Sequence, residues 1–245
     1  MILRYSIFLT FFVHFVKSPL PSILPVCFRD DPQLAKCLVL TANILRTRFT
    51  TGDLGNGFRI PRLDPIYIPR ITYGREHTLQ TRMMNIYVRG FSNFKIENFY
   101  VNIRDIMFEI ILSIPRLDFN ANYKMIFGYL GAPIYSEGQI IQSLTNVRVR
   151  IIIKGQLHTI NRQKYLNFDP FNVKVLESKI KYLNFTNFFP TTALVGPIVK
   201  RYLIDNADYF NERLYPDFEK SFSEIFTKIA NQIALSAPYD EILPI

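Results

Sequence analysis

Apolar and polar residues follow three successive patterns along the chain. In residues 34–49 apolar side chains recur at steps of three and four, which predicts an amphipathic helix that starts near residues 30–32 and ends near Gly52. In residues 58–189 the period changes to two, which predicts long antiparallel strands with one apolar face. In residues 210–233 the helical period returns and predicts a long second helix.

The strand pattern slips in phase at several places, for example between Phe94 and Phe99, which predicts bulges and strong curvature of the sheet. The last helix is lined with phenylalanine and needs a large apolar surface around it. A curved sheet of one-sided strands can supply that surface. We therefore predict an α+β architecture in one domain, residues 23–245: a strongly curved antiparallel sheet wrapped around a long C-terminal helix, with an additional N-terminal helix.

The first 18 residues have the pattern of a targeting segment. Arg4 provides a short basic region, and residues 7–16 form an apolar stretch interrupted by Thr10 and His14. This stretch is shorter than the roughly 20 residues that span a bilayer, and it suits a signal peptide. We predict a signal peptide at residues 1–18, with cleavage as late as residue 22, and a secreted, extracellular product. An uncleaved N-terminal anchor is the alternative.

Composition indicates a folded, globular binding protein with a large apolar interior and material for one disulfide. Apolar residues make up 49% and charged residues 20% of the chain, which excludes disorder as the dominant state. Since secretion would place the two cysteines in an oxidising compartment, we predict a Cys27–Cys37 disulfide. Asn184 begins the sequence's Asn-x-Thr sequon and is a candidate glycosylation site if it is exposed.

Motifs for catalysis, metal binding or phosphate binding are absent from the sequence. No G-x-S-x-G, H-E-x-x-H, C-x-x-C, G-x-G-x-x-G or phosphate-binding loop occurs. His77 and His158 are isolated, and we interpret both as surface residues of the sheet. The sequence therefore predicts a binding protein without enzymatic activity, metal or cofactor.

The chain is basic, with a formal net charge of 29 − 20 = +9. Arg148, Arg150 and Lys154 share one strand face, but the aromatic residues lie on the opposite face, which disfavours nucleic-acid binding. Most of these charged side chains are expected to lie on the outer faces of strands, in contact with solvent. Contact with an anionic membrane or a receptor through this basic face is the alternative function. Lipid hydrolysis is a third hypothesis, and it lacks a nucleophile.

Several segments in a fixed order are similar to a known family. The segments are residues 27–37, Gly52, 62–66, 85–94, 114–123, Gly138, Asn206, 211–216 and 237–240. Together they resemble the insect takeout and juvenile-hormone-binding proteins. The resemblance implies a tubular lipid-binding (TULIP-like) fold with an apolar tunnel. It also implies a secreted carrier of juvenile hormone, another terpenoid or a fatty-acid-like lipid.

We expect a monomer whose partner is one small hydrophobic ligand. The apolar faces of the predicted elements supply the candidate ligand-binding residues: Leu38, Ala42, Leu45, Phe49, Ile86, Val88, Phe108, Ile110, Leu112, Phe127, Ile151, Phe218 and Phe222. For each of them, ordinary core packing is the alternative role.

Overall fold

A computed structural model describes residues 20–21, 23–75, 79–129, 132–188 and 195–245. The predicted signal peptide, residues 1–18, and its latest cleavage position, residue 22, lie outside the described residues. Among the helices in the described part of the chain, none is long and apolar enough to cross a membrane.

Helices flank a central block of strands, as the periodicities predict. The helices are α1 (Leu34–Arg48), α2 (Val195–Asp205), α3 (Ala207–Ala234) and α4 (Tyr239–Ile242), with a single 3-10 turn at Phe91–Asn93. The strands are β1 (Ile66–Arg75), β2 (Leu79–Arg89), β3 (Lys95–Asn102), β4 (Met107–Tyr129), β5 (Ala132–Ile160), β6 (Gln163–Phe168) and β7 (Asn172–Phe185). The predicted long C-terminal helix is α3, which runs for 28 residues.

Two very long strands form the spine of the sheet. β4 and β5, of 23 and 29 residues, pair antiparallel from Met107↔Lys154 to Tyr129↔Ala132. Along its length β4 pairs first with β3 and then with β2, which pairs with β1. β5 pairs with β7 and, near its end, with β6. All pairs are antiparallel, so the predicted antiparallel sheet is confirmed.

The predicted slips of phase are also confirmed. The β3–β4 register shifts between Ile96 and Asn98, inside the segment where the sequence pattern slips. In β4 the buried positions change from the even-numbered Leu112 and Ile114 to the odd-numbered Leu117. The change occurs at residues 115–116, which are both exposed. Irregularities of this kind bend a strand and increase its twist, which lets the sheet curve around α3.

The N-terminal segment is joined covalently to α1. Cys27 and Cys37 form the predicted disulfide, and the Asp31 carboxylate accepts a hydrogen bond from the Gln33 N–H at 2.7 Å just before the helix. The turn that follows α1 closes at Gly52, which has a φ of +71° and whose N–H donates to the Arg48 carbonyl at 2.7 Å. A Cβ at Gly52 would collide with the Ile60 carbonyl oxygen, so this turn requires glycine.

Three apolar clusters form the described core. The largest lies between the inner face of the sheet and α3. A second, which includes Leu34, Phe108 and Tyr239, closes the end of the sheet where α1 and α4 lie. A third, which includes Tyr123, Phe185 and Leu203, lies at the opposite end beneath α2. The interior between sheet and α3 is therefore continuous from one end cluster to the other.

Candidate functional site

One face of α3 is apolar and points into the curved sheet. Its stripe packs against the main core and consists of Leu214, Phe218, Phe222, Ile225, Phe226, Ile229 and Ile233. Of these residues, Ile229 is fully buried, whereas the phenylalanines retain part of their accessible surface. These partly covered rings inside the sheet are the first indication of space for a ligand.

A second stripe on α3, polar at every fourth residue, binds the edge of the sheet. Its members are Asn211, Tyr215, Glu219, Ser223, Thr227 and Asn231. We call it the polar ladder. Residues four apart lie on one face of a helix, so these side chains form one line along α3.

The polar ladder forms hydrogen bonds to β7 and to the residues just before it. Glu219, buried at 7% exposure, accepts from the Val175 N–H at 2.9 Å and from Lys174 Nζ at 2.7 Å. Tyr215 shares a 2.7 Å hydroxyl contact with Ser178. β7 pairs only with β5 in the described sheet, so these bonds cover an edge strand and fix the rotation of α3. That rotation directs the apolar stripe inward.

A chain of aromatic rings runs through the interior. Phe119 packs edge-on to Phe218 with centroids 5.4 Å apart, and Phe218 is followed on α3 by Phe222 at 6.2 Å. Phe226 then stacks on Phe222 at 6.0 Å. The chain leaves α3 at Phe91, which lies 5.1 Å from Phe226, and ends at Phe49 of the α1 C-cap, a further 5.8 Å away. We call these six residues the ring chain.

An aspartate holds the turn that positions Phe91. The Asp64 carboxylate accepts hydrogen bonds from the Gly90 N–H at 3.0 Å, from the Ser92 N–H at 3.0 Å and from the Ser92 hydroxyl. Gly90 has a φ of +96°, and a Cβ there would collide with the Arg116 carbonyl oxygen. The turn is therefore rigid, and it presents Phe91 to Phe226.

An apolar cavity of about 70 Å³ lies at the α2 end, beside the turn of α3 that precedes Phe218. The cavity is lined by Tyr73, Thr81, Met83, Met125, Ile140, Gln142, Ile180, Leu183, Phe185, Leu203, Ala207, Phe210, Asn211 and Leu214. On this measure one water needs roughly 10–15 Å³, so the cavity has room for a small headgroup and not for a whole lipid.

Tyr123 stabilises the wall next to this cavity. Its hydroxyl lies 3.1 Å from Ser136 Oγ and donates to the Thr186 carbonyl at 3.0 Å, and its ring packs on Phe185 at 5.6 Å. Burial raises the pKa of Tyr123, although the hydrogen bond with Ser136 opposes that rise. The folded protein therefore favours the neutral form of the Tyr123 side chain.

The structure brings most of the predicted ligand-binding residues together. Phe49, Ile86, Val88, Leu112 and Ile151 are buried in the main core, and Leu45, Ile110, Phe218 and Phe222 are partly buried against it. Leu38 and Phe108 instead lie in the second cluster, and Ala42 is half-buried on α1. The side chain of Phe127 lies outside what the structure describes. The half-buried members are the ones with surface left for a ligand.

The basic strand face is largely neutralised by acidic neighbours. Arg148 Nη2 lies 2.9 Å from Glu97 Oε2, and Arg150 Nε lies 2.7 Å from Glu109 Oε1. Lys174 Nζ is 2.7 Å from Glu219 Oε2. Arg148 and Arg150 therefore each have a carboxylate on another strand of the sheet, and Lys174 has one on α3, whereas Lys154 forms no ion pair among the described residues.

A larger, open cleft of about 610 Å³ lies outside the sheet and is polar. Arg46, Lys95 and Arg116 line it, but Arg46 donates to the Phe94 carbonyl at 2.6 Å and Arg116 pairs with Asp118 at 2.9 Å. Its residues suit solvent better than an apolar ligand. The smaller, apolar cavity, whose lining includes Leu214 one turn before Phe218, is the better candidate site.

Sequence reasoning missed several residues of this site. Phe91 and Phe119 belong to the ring chain, and Gln142 and Asn211 line the cavity. Gln142 had a usable signal, because it is the polar member of the inward series Ile140, Gln142, Leu144. Among the described residues no group of three or more His, Cys, Asp or Glu side chains could hold a metal ion.

Asn184, the glycosylation candidate, lies on β7 opposite Ile141 and is half-buried. Lys200 Nζ of α2 lies 3.5 Å from its side-chain oxygen. Glycosylation of Asn184 stays a prediction.

The fold matches that of a solved insect protein. The crystal structure of Epiphyas postvittana Takeout 1 superposes with a TM-score of 0.70 at 17% identity, covering 90% of this chain and 99% of that one. A lipopolysaccharide binding protein superposes with a TM-score of only 0.38 at 9% identity over 67% of this chain and 33% of that one, a likeness too weak to support an argument. No curated protein sequence matches the chain.

The Takeout 1 superposition confirms the predicted tubular lipid-binding architecture, in which a curved antiparallel sheet wraps around a long C-terminal helix. Residues 6–244 match the sequence profile of the family described as haemolymph juvenile hormone binding protein. The chain belongs to the haemolymph juvenile hormone binding protein family.

Proposed function

We propose that this protein is a carrier that binds one small hydrophobic ligand between α3 and the curved sheet. The observation that supports this most strongly is the ring chain, whose Phe91, Phe119, Phe218, Phe222 and Phe226 face the interior and yet are only half-buried. Rings with uncovered surface in an interior are suited to contact an apolar molecule. The family name, juvenile hormone binding, supports a ligand of this kind.

Apolar burial alone is sufficient for useful affinity. A ligand that hides on the order of 400 Å² of apolar surface gains roughly 10 kcal/mol at about 25 cal/mol per Å², before the costs of association. The described cavity is smaller than such a ligand. We infer that Met83, Met125 and the half-buried phenylalanines change rotamer to admit the rest of it, since methionine adapts its shape readily.

We further propose that the chain is a secreted monomer of one domain, residues 23–245, after removal of a signal peptide at residues 1–18. The ligand is juvenile hormone, another terpenoid or a fatty-acid-like lipid. The Cys27–Cys37 disulfide supports secretion, because such bonds persist in oxidising compartments. Binding rather than catalysis is the proposed activity.

Binding of anionic membranes or a receptor through the basic strand face is the second candidate function. Two ion pairs, Arg148 with Glu97 and Arg150 with Glu109, disfavour this function. The opposite charges of each pair largely cancel, which weakens the attraction to an anionic surface.

A titration with N-phenyl-1-naphthylamine, a neutral apolar fluorophore, separates the two functions. We expect one site per chain, with an affinity in ~1 M NaCl equal to or tighter than in ~0.01 M NaCl, because salt shortens the Debye length from about 30 to about 3 Å without weakening apolar burial. No probe binding, together with binding to phosphatidylserine vesicles that salt abolishes, would contradict the carrier function.

A further inference from the structure

Gln142 is a polar side chain on the mostly apolar inner face of β5. Gln142 pairs with Phe119 of β4 and with Leu183 of β7, and its inward neighbours along β5 are Ile140 and Leu144. A glutamine at such a position costs free energy unless its amide forms hydrogen bonds. Gln142 is also one of the residues that line the internal cavity.

The orientation of the Gln142 amide follows from the bonds of Asn211. Asn211, 7% exposed, donates from Nδ2 to Ser178 Oγ at 3.2 Å and to the Tyr215 hydroxyl at 3.1 Å. Its amide hydrogens are therefore used, and its Oδ1 accepts from Gln142 Nε2 at 3.3 Å. Gln142 keeps one N–H donor and its Oε1 acceptor for the cavity.

The cavity around this amide is uncharged. None of the described residues that line it is Lys, Arg, His, Asp or Glu. An ionised carboxylate or ammonium placed there would lose its hydration and gain no ionic partner, which is strongly unfavourable. A neutral oxygen group would lose little, because the free donor and acceptor of Gln142 can replace its water contacts.

We propose that Gln142 is the headgroup site of the ligand and that it selects an uncharged oxygen group, namely an ester or ketone carbonyl or a hydroxyl. This inference rests on the proposed carrier function. The Gln142 N–H donates to the ligand oxygen, and Oε1 accepts from a hydroxyl. Asn211 is a positioning residue, which holds the Gln142 amide in one orientation. The apolar tail extends from Leu214 along Phe218 and Phe222 of the ring chain.

Ligands of equal chain length that differ only in the head test this site. Dodecane, 1-dodecanol and methyl dodecanoate are to be measured by displacement of N-phenyl-1-naphthylamine. We expect the alcohol and the ester to bind on the order of tenfold more tightly than the alkane, the equivalent of one hydrogen bond. In Gln142→Leu the three affinities converge to within about threefold. Gln139→Leu, the same change at an exposed side chain of β5, leaves the tenfold preference unchanged.

Asn211→Ala tests the positioning role. We expect it to lower the ratio of alcohol affinity to alkane affinity while dodecane still binds, a readout that general loosening of the fold would not move. An unchanged ratio would overturn the role of Asn211.

Dodecanoic acid tests the exclusion of charge. It should bind in its protonated form, so its affinity falls about tenfold per pH unit above its solution pKa, whereas the affinity of methyl dodecanoate stays constant. Equal affinity of the acid and the ester at pH 8 would overturn the proposal.

One measurement needs no variant. The infrared carbonyl stretch of ¹³C=O-labelled methyl dodecanoate, bound to the parent protein, should lie below its frequency in hexane because the carbonyl accepts a hydrogen bond. An unshifted frequency would overturn the headgroup site and leave the carrier function standing. Failure of the fluorophore and of all three dodecyl compounds to bind would instead refute the carrier function.

Discussion

The Asn231 side chain takes the place of a second strand partner for Phe168, whose first partner is Gly155 of β5. Its Oδ1 accepts from the Phe168 N–H at 2.7 Å, and its Nδ2 donates to the Phe168 carbonyl at 3.0 Å. Asn231 is the last residue of the polar ladder, and Phe168 is the last residue of β6. One turn earlier Thr227 accepts from the Phe171 N–H at 2.9 Å. α3 is therefore attached to the sheet edge through backbone groups and not only through apolar packing.

Asn231→Ala should lower the free energy of unfolding by about 2–4 kcal/mol, because it leaves the Phe168 N–H and carbonyl without their partners. Urea unfolding followed by circular dichroism measures this. Lys228→Ala, at an exposed position one turn earlier on α3, is the control and should change stability by less than about 0.5 kcal/mol. Equal effects of the two changes would show that the ladder does not hold the helix.

Asp64→Ala should release the turn that presents Phe91 to Phe226. The change removes acceptors for the Gly90 N–H, the Ser92 N–H and the Ser92 hydroxyl, and we expect a loss of about 2–4 kcal/mol of stability. Asp30→Ala, an exposed aspartate, is the matched control. Thermal unfolding of the two variants at one pH compares them, and an unshifted midpoint for Asp64→Ala would contradict the assigned role.

Tyr123 should contribute to alkaline unfolding. Because burial raises its pKa in the folded state above the ordinary tyrosine value of 10.0, its stabilising effect is fully present below pH 10 and is lost as pH rises through the folded pKa. Tyr123→Phe should cost about 1–2 kcal/mol at pH 7, from the lost bonds to Ser136 and Thr186. It should also reduce the decline in stability between pH 9 and pH 11, measured by urea unfolding at each pH. A decline as steep as that of the parent would show that folding does not raise the pKa of Tyr123.

The ion pairs on the outer strand face should be weak and should have no role in membrane contact. A double-mutant cycle of Arg150→Ala and Glu109→Ala should give a coupling of about 0.2–1 kcal/mol, as is typical of exposed pairs. Cosedimentation with phosphatidylserine vesicles should be equally low for the parent and for Arg150→Ala. Strong vesicle binding that Arg150→Ala removes would favour the membrane function instead.

Much of this fold could be predicted from periodicity, because burial on one side imposes a period of two on strands and a helical period on α3. The inward positions of Leu112, Val147 and Phe222 follow directly from it. The register slip near Ile96 was also visible, since a bulge shifts the phase of the apolar residues.

The site itself was less predictable, because it depends on contacts between distant segments. Nothing local indicates that Phe91 meets Phe226, or that Glu97 neutralises Arg148, since each pair is formed only when strands and helix come together. The polar ladder was present in the sequence at every fourth residue, but several of its partners are backbone groups of Phe168, Phe171 and Val175, which side-chain patterns do not identify. Leu38 and Ala42 were predicted from the same helical periodicity as Leu45, and only the packing of α1 separates them.

An apolar ligand bound inside the sheet would lie against the ring chain. The chain contains no tryptophan, so Phe222→Trp and, on the outer face of β3, Tyr100→Trp each carry a single indole. Tyr100 is 51% exposed, whereas Phe222 belongs to the main core.

Both variants are to be titrated with methyl dodecanoate brominated along its chain, because bromine quenches indole emission at short range. If the ligand binds against the ring chain, we expect saturable quenching, with one ligand per chain, for Phe222→Trp and none for Tyr100→Trp. Binding of the ester without quenching of Phe222→Trp, or equal quenching of both variants, would contradict binding against the ring chain.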